Sequence, residues 1–267
     1  MNRIKIDAYS LLGKVRSNKP VVHHLTNWVT IYDCANIVKA LGGSPVMAHA
    51  KEEVAQMAEI ASSLVLNIGT LTGELVEAMK VAARSANKKG VPVILDVCGA
   101  GATQLRDKKS FELLDETKIN IIKGNASEIA RISGEAVRTK GVDAGAVNSN
   151  MVDLARDLSR RRKCIVVVTG KEDIVTDGKR LYLIKNGHPM MTHLVGTGCM
   201  ATSAIGTFAA VENDLARAAT CALLCFEIAA ECAAKSANGP GTFRVKLFDC
   251  IYNLDKKTIE KMQRVEC

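Results

Sequence analysis

Residues 193–208, HLVGTGCMATSAIGTF, set a cysteine between a glycine-rich turn and an apolar helical pattern. Gly196-Thr197-Gly198-Cys199 admits three readings: a phosphate cradle, a nucleophilic thiol, or a tight turn feeding a buried helix. Gly196 and Gly198 let backbone N–H groups turn inward, and a helix N-terminus adds partial positive charge, so the turn suits an anion. The same field lowers the pKa of the Cys199 thiol. Phosphoryl transfer to an alcohol needs that combination of an anion hole and a proton acceptor.

Other polar turns follow apolar runs. Leu25-Thr26-Asn27 is one, and Asp96-Val97-Cys98-Gly99-Ala100-Gly101 is another. Lys123-Gly124-Asn125-Ala126-Ser127-Glu128 and Thr169-Gly170-Lys171-Glu172-Asp173 complete the set. In an open α/β sheet, ligands bind at the carboxyl ends of strands, where such turns enter helices. Each turn also has a plain structural role. Asn125 and Glu128 have the spacing of a helix N-cap and its capping-box partner, and Asp96 suits a cap. Neither G-x-G-x-x-G after a first strand nor the Walker pattern occurs, so any phosphate is cradled in another way.

The elements that must position these turns alternate. Strands are expected over 21–25, 44–47, 64–68, 91–97, 119–123 and 164–169, the last almost continuously apolar, as in a parallel strand covered on both faces. Helices are expected over 28–41, 52–62, 74–89 and 148–161. Residues 173–187 read as a β-hairpin turning at Asp177-Gly178, followed by helices over 199–211, 215–235 and 247–263. With no linker, repeat or low-complexity tract, residues 1–267 read as a single doubly wound α/β domain.

Composition narrows the partners. The net charge of +8 allows anionic ligands, but the basic residues are scattered apart from Arg160-Arg161-Arg162-Lys163, and aromatics are only 4%. That is too few for a base-stacking surface, which argues against nucleic acid. The nine cysteines contain no C-x-x-C pair, so neither a zinc site nor a disulfide framework is indicated. Free thiols in this number point to a reducing cytoplasm. The N-terminus lacks an apolar signal-peptide core, and the longest apolar helical stretch carries Glu227 and Glu231, so no membrane partner is expected.

Seven blocks occur in an order and spacing that resemble the hydroxyethylthiazole kinase family: HHLTNWVTIYDCANIVKALGGSPVMA, LNIGTL, ILDVCGAGAT, IIKGNASEI, VVVTGKEDIVTDG, GTGCMATSAIG and GPGTF. The resemblance covers nearly the whole chain from about residue 20. It implies a ribokinase-like fold, with a mostly parallel sheet flanked by helices. The implied activity is ATP- and Mg²⁺-dependent phosphorylation of the primary alcohol of 4-methyl-5-(2-hydroxyethyl)thiazole, in thiamine salvage. The implied assembly is a homotrimer with active sites at subunit interfaces.

By position, the resemblance implies that Asn27, Met47 and Gly196 bind the thiazole. Lys123, Thr169 and Gly198 would face ATP, and Asp96 and Glu128 would act on Mg²⁺, directly or through water. Cys199 stands where related sugar kinases carry the catalytic aspartate. Four departures stand out: Lys123 for a common arginine, Val97-Cys98 for Pro-Val, Val195 for a threonine and Tyr32 for an asparagine. None removes a required charge. Two other readings are another ribokinase-like enzyme, such as a different vitamin-precursor kinase or a nucleotide-hydrate dehydratase, and a non-catalytic nucleotide-binding protein.

Overall fold

The computed structural model describes residues 2–135 and 151–267. In chain order the elements are β1 (Arg3–Ile4), α1 (Ala8–Asn18), β2 (Val21–Leu25), α2 (Ile31–Leu41), β3 (Ser44–Val46), α3 (Val54–Ile60) and β4 (Ser63–Asn67). There follow α4 (Gly73–Lys89), β5 (Val93–Asp96), α5 (Gln104–Glu116), β6 (Ile121–Asn125) and α6 (Ala126–Ile132). Next come α7 (Met151–Arg162), β7 (Ile165–Thr169), β8 (Asp173–Thr176) and β9 (Leu181–Ile184). After a 3₁₀ turn (Pro189–His193), α8 (Thr197–Ala209), α9 (Leu215–Ala234), α10 (Pro240–Tyr252), α11 (Lys256–Met262) and β10 (Val265–Glu266) complete the chain.

All the described strands join one ten-stranded sheet, ordered β1-β10-β9-β8-β7-β6-β5-β4-β2-β3. From β3 to β7 every neighbouring pair is parallel, and from β7 to β1 every pair is antiparallel. Alternation along each strand feeds two cores. On β7, Ile165 and Val167 face the side packed by α1, α2, α8, α9 and α10, while Val166 and Val168 face the side packed by α3 to α7. That two-sided burial is why β7 is apolar at consecutive positions.

The expected architecture is present, and the differences have physical reasons. The C-terminal helix divides: α10 ends at Asn253, and Asp255 recaps α11 by accepting a bond from the Thr258 N–H at 2.7 Å. Helices α1 and α5 were not foreseen. Helix α5 has only three buried residues, Ser110, Leu113 and Leu114, so its apolar stripe is thin. The expected helix over 148–161 begins outside the described residues; its described part is α7.

Helix α8 is the central piece. It is buried on all sides and contacts α2, α9, β4 and β5. Gly206 permits the approach, because a Cβ there would strike the Val65 methyl on β4.

Candidate active site

Strand β2 neighbours β3 on one side and β4 on the other, so the chain reverses its direction of growth across the sheet there. Such a switch point opens a crevice at the carboxyl ends of the strands. Parallel register then lines up side chains: Asn67 at the end of β4 pairs with Asp96 on β5, and Asp96 pairs with Lys123 on β6. Asn67, Asp96 and Lys123 thus form one row beneath the N-terminus of α8.

The row is buried and tightly partnered. Lys123 Nζ donates to Asp96 Oδ2 at 3.3 Å, and the Thr202 hydroxyl on α8 donates to the same oxygen at 2.7 Å. Asp96 Oδ1 is buried with no partner. Burial opposes charge on Lys123, but the Asp96 and Glu128 carboxylates outweigh it and hold the ammonium pKa above its ordinary value. Asn125 caps α6, and Glu128 closes a capping box. Glu128 Oε1 accepts from the Gly99 N–H and Oε2 from the Asn125 N–H, each at 2.7 Å. Burial first, and Asp96 second, push the Glu128 pKa up.

Cys199 lies in the first turn of α8. Its sulfur accepts from Asn27 Nδ2 and Asn67 Nδ2, each at 3.3 Å. The Asn27 amide is itself fixed: Nδ2 also donates to Asn67 Oδ1 at 2.9 Å, and Oδ1 accepts from the Thr30 N–H and hydroxyl. The Cys199 pKa is lowered to about 7, first by a hydrogen bond from the Cys98 thiol; burial and Asp96 oppose this, and Lys123 assists. The helix field expected from the sequence is therefore joined by a specific donor. Gly196 adopts φ +91°, and a Cβ there would collide with the Thr30 methyl, so this turn requires glycine. A Cβ at Gly198 would lie 3.1 Å from Lys123 Nζ.

A cavity of about 480 Å³ opens over these groups. Asn27, Asp96, Lys123, Glu128, Thr169, Gly196, Gly198 and Cys199 all line it, so the structure brings together eight of the residues expected at a site. Met47 is not among them: it follows β3 at the edge of the sheet, half-buried. Asn67 and Thr202 were missed. Asn67 reads as an ordinary strand residue in LVLNI, and Thr202 as an ordinary helix residue. Arg106 was also missed: it donates to the carbonyls of Ile68 (2.8 Å), Cys98 (3.0 Å) and Gly69, tying the loops after β4 and β5 together.

Among the described residues, no group of three or more His, Cys, Asp or Glu side chains forms a ready-made metal cage. The orphaned Asp96 Oδ1 is nevertheless the donor set that Mg²⁺ accepts in phosphotransfer sites, where one or two carboxylates and substrate phosphates share the ion. No helix among the described residues is long and apolar enough to cross a membrane.

The doubly wound sheet, with its cavity at the carboxyl ends of the parallel strands, has the ribokinase-like fold. A ribokinase-like superfamily protein of Enterococcus faecalis shares the fold at TM-score 0.65 and 13% identity, covering 94% of this chain and 98% of its own. Residues 12–257 match the hydroxyethylthiazole kinase family, and the chain belongs to that family, which implies ATP as phosphoryl donor. The Methanosarcina mazei hydroxyethylthiazole kinase is 50% identical over 96% of this chain and 98% of its own. The structure of a hydroxyethylthiazole kinase protein from Pyrococcus horikoshii superposes with TM-score 0.88 at 38% identity, covering 97% of this chain and 98% of its own.

Proposed function

We propose that the chain phosphorylates the primary alcohol of 4-methyl-5-(2-hydroxyethyl)thiazole with ATP, the activity its relatives' names describe. The observation that carries the reading is the Asp96–Lys123 pair beneath the N-terminus of α8, with Cys199 beside it in the same cavity. The N–H groups of Gly198 and Cys199 and the Lys123 ammonium bind the γ-phosphoryl oxygens, and Thr169 lines the nucleotide side. Mg²⁺ would be held by Asp96, with Glu128 acting through water because both its oxygens already accept backbone N–H bonds. When bound, the ion neutralises charge on the phosphates.

The Cys199 sulfur, kept partly ionised near neutral pH by its donors, accepts the alcohol proton as the oxygen attacks. Asn27 and Asn67 hold that sulfur in place. In a loose transition state the proton leaves late, so positioning contributes more than basicity. Asn27 and Gly196 bind the thiazole. Met47, which does not line the cavity of its own chain, suits a site completed by a neighbouring subunit of a trimer. Exposed Trp28, Val29 and Tyr32, of which Val29 itself lines the cavity, suit burial in such an assembly. Nine unpaired cysteines suit the reducing cytoplasm.

Purified protein assayed with ATP, Mg²⁺ and a panel of small alcohols tests the reading. Thiazole-dependent ADP release is expected. Turnover of another alcohol alone transfers the assignment to a different vitamin-precursor kinase, and nucleotide binding without turnover makes the chain a binding protein. For the sulfur, Cys199→Ala and Cys199→Ser are expected to lose about 10- to 100-fold in kcat, while Cys199→Asp retains the parent rate. Gly198→Leu is worse than any of these, since its side chain enters the space before Lys123. A folded Cys199→Ser protein with no turnover, or a trapped phosphocysteine, makes the sulfur a nucleophile instead.

A further inference from the structure

Helix α8 carries three buried hydroxyls, Thr202, Ser203 and Thr207, and Thr202 is placed unlike an ordinary helix threonine. Thr207, and Thr220 on α9, each donate to the carbonyl four residues earlier at 2.8 Å, the usual use of a hydroxyl inside a helix. Thr202 has the same option, since the Gly198 carbonyl lies 3.1 Å away. Its single proton has a better acceptor in Asp96 Oδ2 at 2.7 Å, which is closer and, as a carboxylate oxygen, stronger. Gly198, Thr202 and Gly206 follow at four-residue spacing along one face of the helix. The bare backbone at Gly206 lets that face reach β4, and a Cβ at Gly198 would lie 3.1 Å from Lys123 Nζ. Thr202 sits between them over the row that holds Asp96. Both residues are buried, so water does not compete for the bond.

Asp96 Oδ2 therefore has two donors, Thr202 at 2.7 Å and Lys123 at 3.3 Å, while Oδ1, buried as well, has none. The torsion that turns a carboxyl group is broad, and an ammonium is a point charge on a flexible stem, so Lys123 alone orients Asp96 poorly. The hydroxyl is the directional partner. We propose that Thr202 is a positioning residue for the metal carboxylate: its hydroxyl fixes Oδ2 and so leaves Oδ1 for the divalent cation. The proposal rests on the reading of Asp96 as the residue that holds Mg²⁺. Thr202 does not line the cavity, so it acts through Asp96 and not on the substrates themselves. Its place on the helix adds a second consequence. Gly198 and Cys199 line the cavity from the first turn of α8, and Thr202 lies one turn further on. One helix thus fixes the phosphate cradle and the metal carboxylate relative to each other, although the carboxylate belongs to β5. Metal ligands are commonly oriented by such outer hydrogen bonds.

The test measures metal binding apart from turnover. Full-length protein is titrated with the Mn²⁺ complex of a non-hydrolysable ATP analogue, read by water-proton relaxation, and with the metal-free analogue, read by calorimetry. No alcohol is present, so the result does not depend on the substrate assignment. Thr202→Val removes the hydroxyl at nearly constant shape. It is expected to weaken the Mn²⁺ complex about 10- to 100-fold, the usual cost of losing a partner that orients a metal ligand, and to change binding of the metal-free analogue little. Thr202→Ser returns the hydroxyl and restores most of the affinity. Thr207→Val, the same change at a hydroxyl that donates only to the Ser203 carbonyl, leaves the Mn²⁺ complex bound as in wild type. Thermal melts confirm folding, and Thr202→Ala takes the place of Thr202→Val if that variant does not fold. Unchanged binding of the Mn²⁺ complex in Thr202→Val overturns the proposal. So does equal weakening in Thr202→Ser or Thr207→Val, or equal weakening with and without metal. Asp96→Asn separates the two readings. If it loses the metal-dependent affinity while Thr202→Val keeps it, only the role of Thr202 falls; if Asp96→Asn keeps it, the metal reading fails and the proposal with it.

Discussion

Asp96 and Asp173 are both buried carboxyl groups at strand ends, Asp96 closing β5 and Asp173 opening β8, but they face opposite partners. Asp96 meets the Lys123 ammonium and the Thr202 hydroxyl, and one of its oxygens is left over. Asp173 meets another carboxyl group, Glu227 on α9. Burial first, and Asp173 second, push the Glu227 pKa well up. Burial also raises that of Asp173, although hydrogen bonds from Glu227 and the Gly170 N–H partly offset it. Both carboxyls thus favour their protonated forms, Glu227 the more strongly, and Asp173 Oδ1 accepts from the Gly170 N–H at 2.9 Å. A carboxylate opposite a cation keeps an oxygen available for chemistry. Carboxyls that favour the protonated form instead lock a turn, here the one that carries Thr169 and Gly170.

The largest expected effect comes from breaking the first arrangement. Asp96→Asn removes the counter-charge of a buried ammonium and the oxygen offered to the metal. Turnover is expected to fall by at least about 100-fold, the scale of losing one electrostatic contact to the transition state. Thiazole binding by calorimetry changes little. Unchanged turnover at limiting Mg²⁺ removes Asp96 from the metal site.

A middle-sized effect is expected at Lys123. Lys123→Ala raises the KM for ATP more than the KM for the alcohol, and it destabilises the fold by about 3–5 kcal/mol because Asp96 loses its buried partner. Lys123→Arg keeps the pairing and offers two oxygens a fork. Steady-state kinetics beside thermal melts separate the two contributions. If Lys123→Ala leaves the KM for ATP alone, the residue is a structural ion-pair partner only.

The smallest effect concerns the second arrangement and appears in pH dependence. Folded Asp173 and Glu227 have raised pKa values, so the native state keeps a proton that the unfolded chain loses above about pH 4. The stability this supplies is full below that pH and is lost as pH rises through the folded values. Wild-type stability should therefore decline on the alkaline side by up to about 1.4 kcal/mol per pH unit per proton, and Glu227→Gln should flatten the decline. Denaturant melts from pH 5 to 9 measure it, and parallel slopes for the two proteins refute the retained proton.

Local pattern revealed much of the molecule, for identifiable reasons. The buried parallel strands β2, β4, β5, β6 and β7 are short apolar runs bounded by polar turns, and every turn singled out as chemical lies at the carboxyl end of one of them or at the start of α8. The capping box of Asn125 and Glu128 was equally legible, because a cap is built from residues three apart. Helix α5 is not legible because it buries only two apolar side chains, Leu113 and Leu114, whereas α1 carries a regular stripe of Ala8, Leu11, Leu12 and Val15 that the sequence did display; the pairing of β1 with β10 joins segments with no local relation.

What the sequence alone determined, then, is the alternation of strand and helix, the family, and the short turns that hold glycine, carboxylate or thiol at strand ends. These depend on backbone preferences and spacings within a few residues. Only the tertiary structure decided the partnerships: Asn27 and Asn67 on Cys199, Thr202 and Lys123 on Asp96, and Glu227 beside Asp173. It also separated Met47 from the cavity that receives the others. The physical reason is that such contacts are set by strand order and register and by the close seating of α8 on β4, which bring together residues with no local relation in the chain.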